Sequence, residues 1–518
     1  MTTSADHPHV NPWIVAIAVM FATFMEVLDT TVVNVSLPHI AGNLSASIDE
    51  STWVLTSYLV ANAIVLPLTG WLARHFGRKR LLMTSVAGFT ISSLLCGIAP
   101  NLPLLVAFRI LQGATGGAMQ PLSQAVLLEA FPPHERGKAM GFWGLGIVVA
   151  PILGPVLGGW LTDTYSWRWV FYINLPVGIA SLVMTKLYVF DPAYLRKDTD
   201  TIDYWGIGLL AVWVGTLQLA LDLGQERDWF SSVFITGLVV TSGGGLIAFL
   251  VREWVAREPV VDLRVFKVRT YSTGVFLMTT LGFVLYGSLV LLPIMLQTLL
   301  GYPSLQAGIA MAPRGMGSLI GMPLVGIMIG RIDPRKMVAA GLIVGAFTLF
   351  WLARLNLEAG YWDIFWPQFF QGLGLSALFV PLTTISMDPI PRERMGNATS
   401  LFNLMRNLGG SIGIATTGSL LARKQQEYVN VMGAHVTPYS QAARNALEAA
   451  RQGFIASGAD AVTATERAYA AVFGTIQRHA AMVAFVDVFR LLGIIFLLLL
   501  PLVLLMRRPS SRAAAAAH

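Results

Sequence analysis

The sequence predicts an all-α integral membrane protein built from two six-helix bundles, with two further helices inserted between them and both termini in the cytoplasm. Three observations carry this expectation. Of the 518 residues, 55% are hydrophobic and only 12% charged, too little charge to cover a water-facing surface. Apolar runs of about 20 residues, enough at about 1.5 Å each to cross about 30 Å of hydrocarbon, recur along nearly the whole chain. Three motifs of the first half also return in the second at an almost constant offset.

Taken in order, the spans expected in the first bundle lie at 13–36, 52–73, 81–99, 103–130, 138–161 and 170–190. The inserted pair lies at 204–222 and 231–251, within a segment of helices and linkers covering 191–270. The second bundle, 271–506, follows with spans at 272–300, 305–330, 337–355, 362–388, 397–422 and 485–506, which makes fourteen in all. Residues 1–12 and 507–518 are tails. The Gly and Pro residues inside these runs are tolerated where helices pack against one another in lipid.

Orientation follows from the loops. RHFGRKR (74–80), HERGK (134–138), YLRKD (194–198), RIDPRK (331–336), PRER (391–394) and the tail MRRPSSR (506–512) fall on one side. The alternate loops, such as AGNLSASIDES (41–51) and APNLP (99–103), hold few Lys or Arg, so the basic set is placed in the cytoplasm. One outer connection is long. Residues 423–483 contain the Ala-rich stretches 441–454 and 463–482, expected to form short helices that serve as a surface cap or as a docking site for a partner.

The repeat is specific. PPHERGKAMG (132–141) resembles IPRERMGNAT (390–399) at an offset of 258. GWLARHFGRK (70–79) resembles GIMIGRIDPRK (326–336) at 256, and Gln112 answers Gln371 at 259. Parallel repeats of this kind suit two bundles that rock about a shared central site.

Several function classes are disfavoured. The single cysteine, Cys96, permits no intrachain disulfide or cysteine metal cluster, and His7 and His9 in a polar tail are a weak metal signal. The N-terminus lacks the basic region of a cleavable signal peptide. No Walker loop or HExxH pattern occurs, which argues against ATP hydrolysis and zinc chemistry. The net charge of +7 sits in clusters between apolar runs, as orientation demands, and the spans leave no place for a nucleic-acid-binding reading.

Against this background the charges inside spans stand out. FMEVLDTTVVNVSLP (24–38) places Glu26 and Asp29 on one face of the first helix, and Arg109 lies within the fourth. Buried charges of this kind cost several kcal/mol unless they pair or face water. At about 1.5 Å per residue all three fall near one depth. Two readings remain open, a structural ion pair and a proton-coupling site, with Asp29 the first choice for the titrating group and Glu26 the second.

Several motifs in order resemble the major facilitator superfamily, and closely its 14-helix drug:proton antiporter branch, the EmrB-like exporters. LDTTVVNVSLP (28–38) resembles that branch's first-helix signature. GWLARHFGRK is similar to the cytoplasmic loop motif, here Gly70, Arg74, Gly77, Arg78 and Lys79, but Arg74 stands where the family usually has an acid. RILQGATGG (109–117) resembles the fourth-helix motif, and WRWVFYINLPVG (167–178) a sixth-helix one. GIVVAPILGPVLGG (146–159) resembles the antiporter motif, with Gly146, Pro151, Gly154, Pro155, Gly158 and Gly159; its small residues alone would also serve helix packing.

The resemblance implies a proton-driven exporter of lipophilic, often cationic, compounds working by alternating access in a bacterial inner membrane, with protons as coupling ion and no cofactor. It also implies a periplasmic adaptor and an outer-membrane channel as partners. Asn34, Gln112, Gln120, Gln371, Arg314 and Arg406 are candidate substrate-cavity residues. The nearest alternative is an exporter on the same fold dedicated to one metabolite, such as a siderophore or fatty acid; a membrane receptor without transport is more remote.

Overall fold

A computed structural model describes residues 11–132, 135–191, 203–256, 259–329, 331–437 and 439–506. The tails, with His7 and His9, and the basic YLRKD loop lie outside the described residues. The first half comprises α1 (Pro12–Asn43), α2 (Ile48–Phe76), α3 (Arg78–Ile98), α4 (Leu102–Gly116), α5 (Met119–Ala130), α6 (Arg136–Thr164), α7 (Trp169–Tyr172) and α8 (Asn174–Tyr188). The inserted pair is α9 (Tyr204–Leu223) and α10 (Val233–Val255). The second half comprises α11 (Arg269–Thr298), α12 (Ser304–Met328), α13 (Pro334–Leu352), α14 (Tyr361–Met387), α15 (Met395–Ala434), α16 (Gln441–Ala456), α17 (Ala461–Leu498) and α18 (Leu500–Val503).

Helices cover every stretch where a span is expected. Eleven of them among the described residues are long and apolar enough to cross a membrane, and twelve if α6, bent by 41° between Pro151 and Val156, is taken as one span. The two expected spans outside that set are α12 and α15. Their composition explains it: α12 carries Arg314 and two prolines, and the buried stretch of α15 carries Asn397, Asn403 and Arg406. The expected fourth span is divided into α4 and α5, and the sixth into α7 and α8.

The repeat is visible in the packing. Helix α1 packs on α6, α2 on α4 and α3 on α8; in the second half α11 packs on α15, α12 on α14 and α13 on α17. The halves meet through α6 with α12 and α2 with α15, and α9 fills the flank against α2 and α15. The closest approaches between halves lie at the end that carries the basic loops. A Cβ on Gly70 would stand 2.7 Å from the Asn397 Cα, and one on Gly141 2.7 Å from the Met322 carbonyl. Only glycine permits backbones this near.

The connection 423–483 differs from the expectation of short helices. Helix α15 continues to Ala434, and 463–482 belongs to the unbroken 38-residue α17, which runs on into the last expected span. Only α16 is a separate short helix, packed on α17. No Pro interrupts 461–498, and its alanines favour helix on both sides of the boundary, so composition changes without ending the helix. Tyr428 of α15 donates a hydrogen bond to Asp487 of α17 and fastens the two long helices together.

Candidate functional site

Asp29 lies in the middle of α1 with no exposed surface. Its Oδ2 accepts a hydrogen bond from Arg109 Nη1 at 2.5 Å. Its Oδ1 accepts from Gln112 Nε2 at 3.0 Å and from Asn174 Nδ2 at 2.7 Å. Arg109 is held in turn: Nε donates to the Val54 carbonyl at 2.9 Å, Nη1 also reaches Gln112 Oε1 at 2.7 Å, and the guanidinium lies 4.1 Å from the centre of the Tyr58 ring. Asn174 also donates to Ser93 Oγ at 3.0 Å. Residues of α1, α2, α3, α4 and α8 thus converge on one carboxylate. Burial is tolerable because every oxygen of the acid has a donor and the charge has an opposite partner.

Sequence reasoning anticipates Asp29, Arg109 and Gln112 but places Glu26 in the same layer. The structure separates it. Glu26 Oε1 accepts from Asn62 Nδ2 of α2 at 2.9 Å, and among the described residues its Oε2 has no hydrogen-bond partner. A straight-rod estimate of depth gives the height of a side chain, not the direction in which it leaves the helix. Arg406 lies within electrostatic reach of Glu26 from the other half.

Asn174, Tyr58 and Asn62 were not singled out from the sequence. Asn174 sits in the quoted WRWVFYINLPVG, and Tyr58 and Asn62 are one turn apart on α2. Polar side chains inside apolar runs were the available signal, though Asn and Tyr give a weaker one than a charge.

The other candidates fall into distinct settings. Gln120 Oε1 accepts from Arg406 Nη2 at 2.6 Å, a contact between halves, and Asn403 donates to Gln124 at 2.6 Å just beside it. Arg406 also lies near the Phe379 ring, which stacks on Trp143. Gln371 accepts from Gln368 within α14. Arg314 is buried in α12, and Asn34 is exposed on α1 beyond Asp29.

The small residues of the antiporter motif form the crossing of α6 on α1. A Cβ on Gly154 would strike Thr31 Oγ1 at 2.0 Å, and one on Gly158 would lie 2.8 Å from the Val32 carbonyl. Gly146 faces Met20, Pro151 and Pro155 lie at the bend, and Gly159 has nothing within 4 Å. In the loop motif Gly77 takes φ +86°, where a side chain is strained, and so permits the turn from α2 to α3. Arg78 is paired with Glu129, and Lys79 donates through its backbone to Asp191 at 2.8 Å and through Nζ to the Lys186 carbonyl at 2.7 Å. Arg74 lines a small pocket with Arg78, Glu393 and Asn397, so the position that usually holds an acid faces the other half. Nearby, burial raises the Asp388 carboxyl above its ordinary range while Arg136 pulls it back.

A sequence profile of the Major Facilitator Superfamily matches residues 19–414. The chain belongs to the major facilitator superfamily. Within it, "Fatty acid resistance protein FarB" of Neisseria gonorrhoeae is 40% identical over 498 residues, covering 96% of each chain. "Multidrug export protein EmrB" of Haemophilus influenzae is 42% identical over 429 residues, 82% of this chain and 84% of that one. EmrB of Escherichia coli strain K12 is 40% identical over the same length. Among solved structures, the human organic anion transporter MFSD10 matches with TM-score 0.58 at 13% identity, over 95% of this chain and all of that one. The proton:xylose symporter XylE matches with TM-score 0.56 at 17% identity, over 81% and 90%. These two likenesses show the helical facilitator fold; membership of the superfamily makes the chain a transporter.

Proposed function

We propose that the protein is a proton-coupled antiporter that exports lipophilic and amphipathic compounds, drugs among them, across a bacterial inner membrane by alternating access. The observation that carries this reading is the fully buried Asp29, held by Arg109 and Gln112 of α4 and Asn174 of α8. A proton arriving from outside neutralises the carboxylate and releases its hold on Arg109. Loss of that proton to the cytoplasm restores the pair. Such a switch biases the packing of five helices, which is what a coupling site must do. Glu26, with one oxygen bonded to Asn62, is the second group able to take a proton. The basic loops mark the cytoplasmic end, where the two halves approach each other closely.

The relatives' names support export of drugs, and FarB, similar over nearly the whole chain, favours a second reading in which fatty acids are the dedicated cargo. The projection formed by α15, α16 and α17 offers a surface on which a periplasmic adaptor of a tripartite pump would rest. In proteoliposomes with an imposed pH gradient, wild type is expected to move a lipophilic dye against its concentration gradient. A dye flux that ignores the pH gradient overturns the proton-coupled reading.

A further inference from the structure

Arg314 is a buried cation whose charge no described residue answers. It is only 7% exposed, and among the described residues no hydrogen bond, ion pair or aromatic ring engages its guanidinium. The two other arginines buried in mid-span have partners: Arg109 is paired with Asp29, and Arg406 donates to Gln120 and Asn407. A lone guanidinium taken out of water is expensive unless a counter-charge joins it.

The repeat shows why the counter-charge is missing. At the offset of 259 that relates Gln112 to Gln371, Arg109 corresponds to Gln368, and those two glutamines bond to each other. At offsets of 256 to 259, Asp29 corresponds to Leu285, Tyr286, Gly287 or Ser288, none of them acidic. The second half therefore keeps the Gln112 amide as Gln371 and loses both members of the ion pair. Arg314 enters at that level from α12, where its backbone carbonyl lies against Gly372, the residue after Gln371. No Asp or Glu occurs anywhere in α11, α12 or α13, and α14 has only Asp363, in its first turn. Between the span ends, buried Glu26 and Asp29 stand against buried Arg109, Arg314 and Arg406.

The placement also suits a ligand. Arg314 shares one stripe of α12 with Ser318, Met322 and Gly326, at steps of four residues. Further along that stripe Met322 and Gly326 meet α6 of the other half at Gly141 and Gly137. Arg314 thus lies two turns along α12 from the seam between the halves. One turn below, Gly317 lies against the Phe369 carbonyl, in a run of α14 where Phe365, Trp366, Phe369 and Phe370 pack ring on ring.

We propose that Arg314 is the head-group site for anionic amphiphiles: its guanidinium receives a carboxylate or similar monoanion, with Gln368 and Gln371 beside it, while the apolar tail lies along the aromatic run of α14. This rests on the reading that the central region takes amphipathic cargo, and it assigns that cargo a negative head instead of a positive one. A guanidinium binds a carboxylate through two parallel hydrogen bonds, which an alcohol of the same chain length does not reproduce.

The test is direct binding to the purified full chain in nanodiscs, with laurate, dodecanol and dodecyltrimethylammonium competing against a fluorescent fatty acid. Wild type is expected to prefer laurate over dodecanol by at least about tenfold. Arg314→Gln is expected to erase that preference without altering dodecanol binding, and Arg314→Lys to retain part of it. A wild-type preference below about twofold overturns the proposal even if the variants fail to fold. So does a laurate preference that survives in folded Arg314→Gln, or displacement of laurate by chloride at equal concentration, which would mark Arg314 as a site for any small anion. None of these measurements depends on a proton gradient, so failure here is separable from failure of the dye flux.

Discussion

At the scale of the residue, the Asp29 cluster divides its labour. Arg109 supplies the opposite charge, and Gln112 and Asn174 supply neutral donors to the other oxygen. Removing one donor from a buried carboxylate costs about 1–3 kcal/mol. Asn174→Ala is therefore expected to lower the thermal unfolding temperature of the purified protein and to slow proton-driven efflux, while Ser93→Ala, which removes a side partner of Asn174 and a hydrogen bond to the Phe171 carbonyl but no donor to Asp29, has the smaller effect on efflux. Equal effects from the two would show that Asn174 does not act through Asp29. The ion pair was legible because charges inside apolar runs are conspicuous. Its neutral partners were not, since Asn and Tyr are common at span ends and a sequence does not say which of them turn inward.

At the scale of the element, the antiporter motif separates residues that pack from residues that only match a pattern. Gly154→Val would drive a side chain into Thr31 and part α6 from α1, so loss of folded protein or of transport is expected. Gly159→Ala meets nothing within 4 Å, and near wild-type efflux is expected from a transport assay. The reverse ranking would contradict the crossing described here. Helix positions were readable throughout because apolar runs have a length imposed by the membrane. Helix ends were less so. The run 463–482 reads as a separate helix by composition, yet α17 continues through it, because alanine-rich sequence gives the backbone no reason to stop.

At the scale of the whole molecule, the two halves close on each other where the basic loops lie. A Cβ on Gly137 would stand 3.2 Å from the Ile329 Cβ, near the about 3.8 Å typical of a disulfide. The only native cysteine, Cys96, is buried. A Gly137→Cys, Ile329→Cys pair is expected to cross-link on oxidation, to stop transport, and to recover on reduction. Transport that continues in the cross-linked protein would mean that this end need not open. The repeat makes two bundles legible in the sequence, but which half holds a complete ion pair depends on side-chain direction, which sets Glu26 on Asn62 and leaves Arg314 with no acid among the described residues.

The exchange of a proton for substrate at Asp29 is tested most directly by the pH of a weakly buffered solution of purified protein as a transported dye is added. Wild type is expected to release protons on binding, and Asp29→Asn to bind the dye with little or no release. Proton release from Asp29→Asn equal to that of wild type would contradict the assignment.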